Sequence, residues 1–254
     1  MLLSGGASAL LTAPLPGLAQ ADLRRTTELL LASGAPIGEL NVVRKHLSAA
    51  SGGRLAAATR AGRIVVLAIS DVLGDPPDAI GSGPCTPDPS RYAEALAILE
   101  ARGVADAVPD GVRAHLEAGA RGERPESPKP GEPGFARVRY HVLASNHDAV
   151  LAAAAEARAR GVPARTDLLA LEGEARDAGR RLAALALAEP RAQESVLVAG
   201  GETTVTVRGR AAGRDAEADL AANDAYRFFA AEGGLLRTGP TRTNALDLVL
   251  IHRS

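Results

Sequence analysis

Short β-rich apolar runs alternate along the chain with Ala/Leu/Arg-rich stretches of helical period, the pattern of βαβ units built around a parallel sheet. Arg63 to Ser70 (RIVVLAIS) is almost continuously apolar, as expected of a parallel strand covered on both faces, and it runs out into a polar loop. Val138 to Ser145 (VRYHVLAS) predicts a second strand, followed by a helix over Asp148 to Arg160 that Asn146 can cap. Ser195 to Ala199 predicts a third strand, Glu202 to Arg208 (ETTVTVR) another just past a glycine turn, and Leu246 to Ile251 a last one that closes the sheet. Helices are expected at Ala21 to Ala32, Ser90 to Ala101, Glu174 to Ala188 and Ala216 to Ala231. Residues 121 to 134 (RGERPESPKPGEPG) hold four prolines and three glycines and so predict a loop or linker. Only Met1, Leu2 and Leu3 stand before the first glycine loop, where a strand of about five or six residues is usual, so a shortened strand is expected there.

Composition narrows the class. A chain of 254 residues can bury roughly three quarters of its unfolded surface, enough for a core without covalent staples. Hydrophobic residues at 46% and charged residues at 23% describe an ordinary globular protein and exclude a disordered one. The formal charge of −1, with no block of like charges, removes nucleic acid and anionic membrane surfaces as expected partners. Cys85 is the only cysteine, which excludes an internal disulfide or a thiolate zinc site and fits a cytoplasmic setting. Residues 1 to 21 imitate a signal peptide faintly, but they have no basic start and are broken by glycine and proline. With six Tyr and Phe and no Trp, the core must be built from Ala, Leu and Val. Lys45 and Lys129 are the only lysines, so any phosphate handling relies mostly on arginine.

Several short stretches could carry chemistry, and each has a plain structural alternative. In Ser4-Gly5-Gly6-Ala7-Ser8 the glycines let backbone amides approach a phosphate or carboxylate, though an empty small-residue turn would look the same. This loop matches neither the Walker pattern nor GxGxxG. Asp71, just past the buried strand, stands where open α/β sheets place ligands; it is suited to accept a hydroxyl proton or to bind magnesium, with Asp75 supporting either role. Two solvated loop acids are the alternative. Gly81-Ser82-Gly83-Pro84 reads as a second tight turn near the same mouth. Asn41 to Ser48 (NVVRKHLS) with Gly52-Gly53-Arg54 gathers Arg44, Lys45, His46 and Arg54, which could neutralise phosphoryl oxygens or simply form a solvated basic helix face. Gly200-Gly201-Glu202-Thr203-Thr204 reads as a glycine turn, and Thr238 to Asn244 as a hydroxyl-rich loop.

In order, SGGASALL, NVVRKHLS with GGRLA, ISDVLGDPPDAIGSGP, GEARDAG, GGETTVTV, NDAYRFF and TGPTRTNALDL resemble the glycerate 2-kinases that carry a C-terminal MOFRL domain. The resemblance runs over essentially the whole chain. It implies an α/β fold, with a Rossmann-like parallel-sheet domain (1–130) and a remainder (131–254) containing a smaller, shortened MOFRL-like α/β domain at about 190–254. It implies transfer of phosphate from ATP, with Mg2+, to the 2-hydroxyl of D-glycerate. Arg44 and Lys45 are then expected on phosphate or carboxylate, and Asp71 as base or, with Asp75, as metal ligand. Ser4, Gly5, Gly6, Ser8, Ser82, Gly83, Gly200, Gly201, Glu202, Thr203, Thr238, Thr241 and Asn244 are expected to bind ligand.

Two departures stand out. Family members usually carry a long stretch before the first glycine loop, including an active-site lysine, whereas here Met1 stands within that strand. They also continue past the Gly209 position through an arginine-bearing segment, whereas here Arg208-Gly209 runs almost directly into the helix before NDAY, so Arg214 is not expected to be that arginine. Losing two cations would weaken phosphoryl transfer, since one transition-state arginine contributes about 10³ to 10⁵ in rate. The departures leave a second expectation, a non-catalytic chain that binds nucleotide or a small acid and self-associates through uncovered sheet edge. A hydroxypyruvate reductase, a name attached to some relatives, would need a nicotinamide site, and no GxGxxG follows any expected strand.

Overall fold

The computed structural model describes residues 1–188, 195–204 and 246–253. They fall into two compact units, Met1–Ser145 and Asn146–Ser254, so the division comes after the third strand and not at residue 130. The first unit contains β1 (Leu2–Leu3), α1 (Ala7–Leu10), α2 (Gln20–Ala32), α3 (Ile37–Leu47), α4 (Arg54–Ala58), β2 (Ile64–Ile69), a 3-10 turn (Ile80–Ser82), α5 (Tyr92–Ala101), α6 (Asp110–Ala120), a second 3-10 turn (Pro133–Arg137) and β3 (Val138–Ala144).

All three strands of this unit are parallel, in the order β1-β2-β3, with Leu2 opposite Leu67 and Ile64 opposite Val138. Alternate residues of β2 explain how the sheet is anchored: Ile64, Val66 and Ala68 point into a core with Leu3, Ala56, Ile80 and Cys85. The other side of the strand does not match the expectation of a doubly covered run. Val65 is 37% exposed and Leu2 82% exposed, so one face of this sheet stays open. A second core lies among the helices, where Leu30 of α2, Leu40, Val43 and Leu47 of α3, Tyr92 and Leu99 of α5, and Val112 and Leu116 of α6 are buried together. Replacing such a leucine by alanine typically costs about 2–5 kcal/mol.

The second unit contains α7 (Asn146–Ala159), β4 (Ala164–Glu174), α8 (Ala175–Ala188), β5 (Ser195–Thr204) and β6 (Asp247–Arg253). Its sheet has the order β4-β5-β6, with β4 parallel and β6 antiparallel to β5. Leu246 to Ile251 is thus a strand as expected, but it closes a separate sheet. The strand at β4 was not expected, because ARTDLLALEGE shows neither clear alternation nor a bounded β-branched run.

Gly200 and Gly201 lie inside β5 and do not form a turn. Gly201 pairs with Leu171 on one side and Asp247 on the other, at φ 137°, a value that favours glycine. A side chain at Gly200 would overlap Asn146 and Val150 of α7, so the pair is small because a helix crosses the strand there. Asn146 is itself the first residue of that helix, and its side-chain amide donates to the Asp247 carbonyl at 3.0 Å. The expected helix over Ala216 to Ala231 and the strand residues 205–208 lie outside the described residues. No helix among the described residues is long and apolar enough to cross a membrane.

Candidate functional site

Helix α3 is amphipathic through Leu40, Val43 and Leu47, which lock one face into the helical core. Its last turn carries Arg44, Lys45 and His46, and cations there are favoured by the helix dipole, typically by about 0.3–1 kcal/mol. The three cations are not equivalent. Arg44 is half-buried with no ion pair or side-chain hydrogen bond among the described residues, and burial lowers its guanidinium pKa from the ordinary value. Lys45 is 4% exposed, and its Nζ lies 3.2 Å from Asp78 Oδ2 and 3.5 Å from Asp88 Oδ1.

Arg44 borders a cavity of about 450 Å³ within the first unit, a size in the usual range of small-ligand sites. Ser8, Thr12, Thr27, Ser48, Ser51 and Ser82 supply hydroxyls to its wall, and Leu11, Leu23, Leu30 and Leu47 supply apolar surface. The Arg24–Glu28 pair stands at the same wall, an exposed ion pair at 3.5 Å. The cavity is bounded by the segment after α1, where Leu15 N donates to Leu47 O at 2.9 Å and Ala49 N to Ala13 O at 2.6 Å.

The glycine turns of the sequence meet beside this cavity. Gly81, Ser82 and Gly83 all have φ 61°, a left-handed run that a non-glycine residue such as Ser82 enters only at a cost of about 1–2 kcal/mol. Two contacts hold Ser82 there. Its Oγ lies 3.1 Å from Asn41 Oδ1 and 3.2 Å from Ser8 Oγ; having one proton, it donates to Asn41 and accepts from Ser8. The turn is also stitched to the Gly52-Gly53 turn, with Gly52 N donating to Ser82 O at 3.0 Å and Gly53 N to Gly83 O at 2.8 Å. The structure therefore brings together Ser8, Arg44 and Ser82 of the expected site residues.

Other expected residues take other positions. Ser4, Gly5 and Gly6 form the turn between β1 and α1, with Gly6 at φ 80° and open space where a Cβ would stand. Gly83 packs against the backbone of Asp78. Asp71 and Asp75 follow β2, both half-buried, and neither carboxylate has a hydrogen-bond or ion-pair partner among the described residues. Ser70 shapes that loop, its Oγ 3.2 Å from both the N and the O of Val72. Arg54 turns inward at the start of α4, with Nε and Nη2 buried and lacking hydrogen-bond partners. In the second unit Gly200, Gly201, Glu202 and Thr203 lie along β5, while Thr238, Thr241 and Asn244 lie outside the described residues.

Beneath the two stitched turns is a buried ionic cluster that the sequence did not announce. Asp88 is fully buried; Oδ1 accepts from Ser90 N at 3.1 Å and Ser90 Oγ at 2.7 Å, and Oδ2 accepts from Ser127 Oγ at 2.8 Å. Burial alone would raise the Asp88 carboxyl, but these hydrogen bonds and the charges on Lys45 and His46 hold it below its ordinary value. His46 is also fully buried, with Nδ1 2.8 Å from Val42 O and Nε2 3.3 Å from Glu126 Oε2; burial lowers its pKa against the pull of Val42, Asp88 and Glu126. Lys129 completes the cluster, 3.2 Å from Glu126, 2.8 Å from Ser127 Oγ, and bonded to the Ser90 carbonyl. Asp78, Asp88, Glu126, Ser48 and Ser51 were not foreseen as parts of this region. For Ser48 a signal was available, since Asn41, Arg44 and Ser48 are spaced i, i+3, i+7 and so share one helix face.

No group of three or more His, Cys, Asp or Glu side chains suited to a metal occurs among the described residues. Chemically, the cavity offers, among the described residues, the unpaired Arg44 guanidinium, a set of hydroxyls and apolar wall.

Relatives agree with this reading of the motifs. Residues 1–117 match the family described as Domain of unknown function (DUF4147). A glycerate 2-kinase of Pyrococcus horikoshii is 37% identical, the match covering 98% of this chain and 69% of that protein. A relative in Agrobacterium vitis carrying a hydroxypyruvate reductase name is 36% identical over 97% of this chain and 68% of its own length. The crystal structure of a Thermotoga maritima glycerate kinase superposes with a TM-score of 0.74 at 31% identity, covering 98% of this chain and 71% of that one. With kinship running over nearly the whole length and a solved kinase of matching fold, the chain belongs to the glycerate 2-kinase family.

Proposed function

We propose that this protein transfers a phosphoryl group from ATP to the 2-hydroxyl of D-glycerate, giving 2-phosphoglycerate. The observation that carries the site assignment is the unpaired, half-buried Arg44 on a hydroxyl-lined cavity. A guanidinium already stripped of part of its water, and with no protein carboxylate beside it, is ready to pair with a substrate anion; such charge-assisted bonds are roughly twice as strong as neutral ones. Ser8 and Ser82, whose protons are committed to Ser82 and Asn41, then accept from the hydroxyls of the acid. The one free cation on this cavity among the described residues suits a monocarboxylate better than a triphosphate, which needs several.

Asp71 and Asp75, whose carboxylates have no partner among the described residues, stand past the carboxyl end of β2 outside the lining of the Arg44 cavity and are the carboxylates assigned here to the reaction. They fit magnesium, which is commonly held by one or two carboxylates with water and substrate phosphate oxygens. ATP and magnesium, when bound, supply the transferable phosphoryl group and neutralise its oxygens. Asp71 serves either as a magnesium ligand with Asp75 or as the group that takes the 2-hydroxyl proton. These roles separate in Asp71→Asn: a metal role gives a loss partly recovered at high magnesium or manganese, and a base role gives a loss that no metal concentration recovers.

The test of the whole reading is release of ADP that depends on D-glycerate, coupled through enolase so that only the 2-phosphate is counted. Absence of turnover together with thermal stabilisation by D-glycerate would replace the kinase reading by that of a binding protein. Oxidation of NADH on addition of hydroxypyruvate would replace it by the reductase reading that the Agrobacterium vitis relative's name suggests.

A further inference from the structure

We infer that Lys45 is a positioning residue and not a ligand contact: through Asp78 and Asp88 it holds the Gly52-Gly53 and Gly81-Ser82-Gly83 turns in the conformation that forms the polar wall of the cavity. The inference rests on the kinase reading only for its kinetic consequence. Its structural part rests on where the Lys45 charge goes. Both residues whose carboxylates Lys45 reaches touch one of the turns, Asp78 through its backbone and Asp88 through its side chain. Asp78 backs Gly83 so closely that a Cβ there would lie 2.8 Å from the Asp78 carbonyl oxygen. Asp88 backs Gly52, where a Cβ would lie 3.3 Å from both Asp88 Cβ and Oδ2, and 3.3 Å from Lys45 Cβ.

The two turns are then joined by Gly52 N to Ser82 O and Gly53 N to Gly83 O. Lys45 thus sits at the meeting point of two left-handed turns that no long-range strand pairing supports. Its ammonium has no exposure to spare for a substrate: the side chain is 5% exposed and two carboxylates already surround it. Arg44, one residue earlier, has the opposite surroundings. The structure divides binding and positioning between neighbouring cations.

The experiment uses the full chain carrying Lys45→Met, Asp88→Asn and both together. Hydrogen–deuterium exchange is read for peptides covering 48–56 and 79–86, with 92–101 and 110–120 as controls; kcat and KM for ATP and D-glycerate are read in parallel. Positioning predicts that exchange of both turn peptides accelerates at least 10-fold in each single variant while the controls hold. It also predicts that kcat falls 10- to 100-fold with KM for ATP changed less than about 3-fold, and that the double variant is no worse than the more damaging single one.

A direct phosphate contact predicts the reverse: unchanged exchange, a raised KM for ATP in Lys45→Met alone, and losses that multiply. Those results overturn the inference. Should Lys45→Met fail to fold, Asp78→Asn removes one of the two contacts at a side chain that is 35% exposed, and faster exchange confined to 79–86 is then required. A wild-type chain without turnover overturns the kinase reading alone, whereas unchanged exchange in both turns overturns this one whatever the activity.

Discussion

Replacing Arg44 by methionine separates binding from folding in one variant. Methionine keeps the apolar stem that lines the cavity and removes only the guanidinium. No group among the described residues is bonded to that guanidinium, so its loss orphans none of them in the free protein. Burial already lowers its pKa, which means the folded chain bears a desolvation cost for the charge that methionine does not. Stability is therefore expected to stay within about 0.5 kcal/mol of the parent or to rise. Substrate binding moves the other way. A hydrogen bond to a charged group contributes about 1.5–3 kcal/mol, so affinity for D-glycerate should fall by about 10- to 100-fold. Urea unfolding followed by tyrosine fluorescence reads the first quantity, since Tyr92 is buried in the helical core of this unit. Calorimetric titration of D-glycerate, or its KM, reads the second. A clear loss of stability, or an affinity unchanged within a factor of 2 or so, would refute the assignment of Arg44 to the anion.

Three more outcomes follow from the same geometry. Gly83→Ala places a Cβ 2.8 Å from backbone of Asp78 at φ 61°, whereas Gly6→Ala at φ 80° meets nothing within 4 Å; the first should cost about 2–5 kcal/mol and the second about 1, and equal costs in urea titration would show that the clash is relieved. Asp88 has a folded pKa below its unfolded value, so its contribution is present above about pH 4 and lost as pH falls through the lower folded value; Asp88→Asn should lower stability at neutral pH and flatten the decline as pH falls below about 4, and parallel pH profiles would contradict this. Tyr140 carries a buried hydroxyl with no partner and a pKa pushed up to about 12, chiefly by burial; Tyr140→Phe should be neutral or stabilising by about 1 kcal/mol, and a loss of that size would reveal a bond to the hydroxyl.

The parts of this protein that could be read from sequence were those whose signal is local. β2 was legible because six apolar residues in a row leave little else to form, and α2, α5 and α8 because their apolar period is sustained over a helix of ordinary length. β4 was not legible: its pairing partner β5 lies about thirty residues on, and the pairing that makes it a strand is absent from its own composition. The glycines misled in a specific way. Gly81 and Gly83 do form a left-handed turn, but Gly200 and Gly201 serve a crossing helix and a pleated strand, and both uses leave the same mark in a sequence. The serines lining the cavity were equally silent, since Ser48 and Ser51 acquire their role only when the segment after α1 folds across them.

The run Arg44-Lys45-His46 shows why a cluster of like residues on a helix is a poor description of a site. Successive helical residues are turned by about 100°, so a run of three cannot all face one object. Here that rotation puts Arg44 on the cavity, while Lys45 and His46 are directed to the buried Asp88 and the partly exposed Glu126. A shared phosphate-binding role for all three would have required the helix to end before Lys45, leaving the last residues in loop geometry able to converge. The helix instead continues to Leu47, which is 1% exposed and packed in the core with Leu40 and Val43. Burial of that leucine fixes the phase of the last turn, and the phase assigns each cation its partner. The consequence is that the packing of one leucine, itself part of the cavity wall, sets which of three adjacent basic residues faces the cavity.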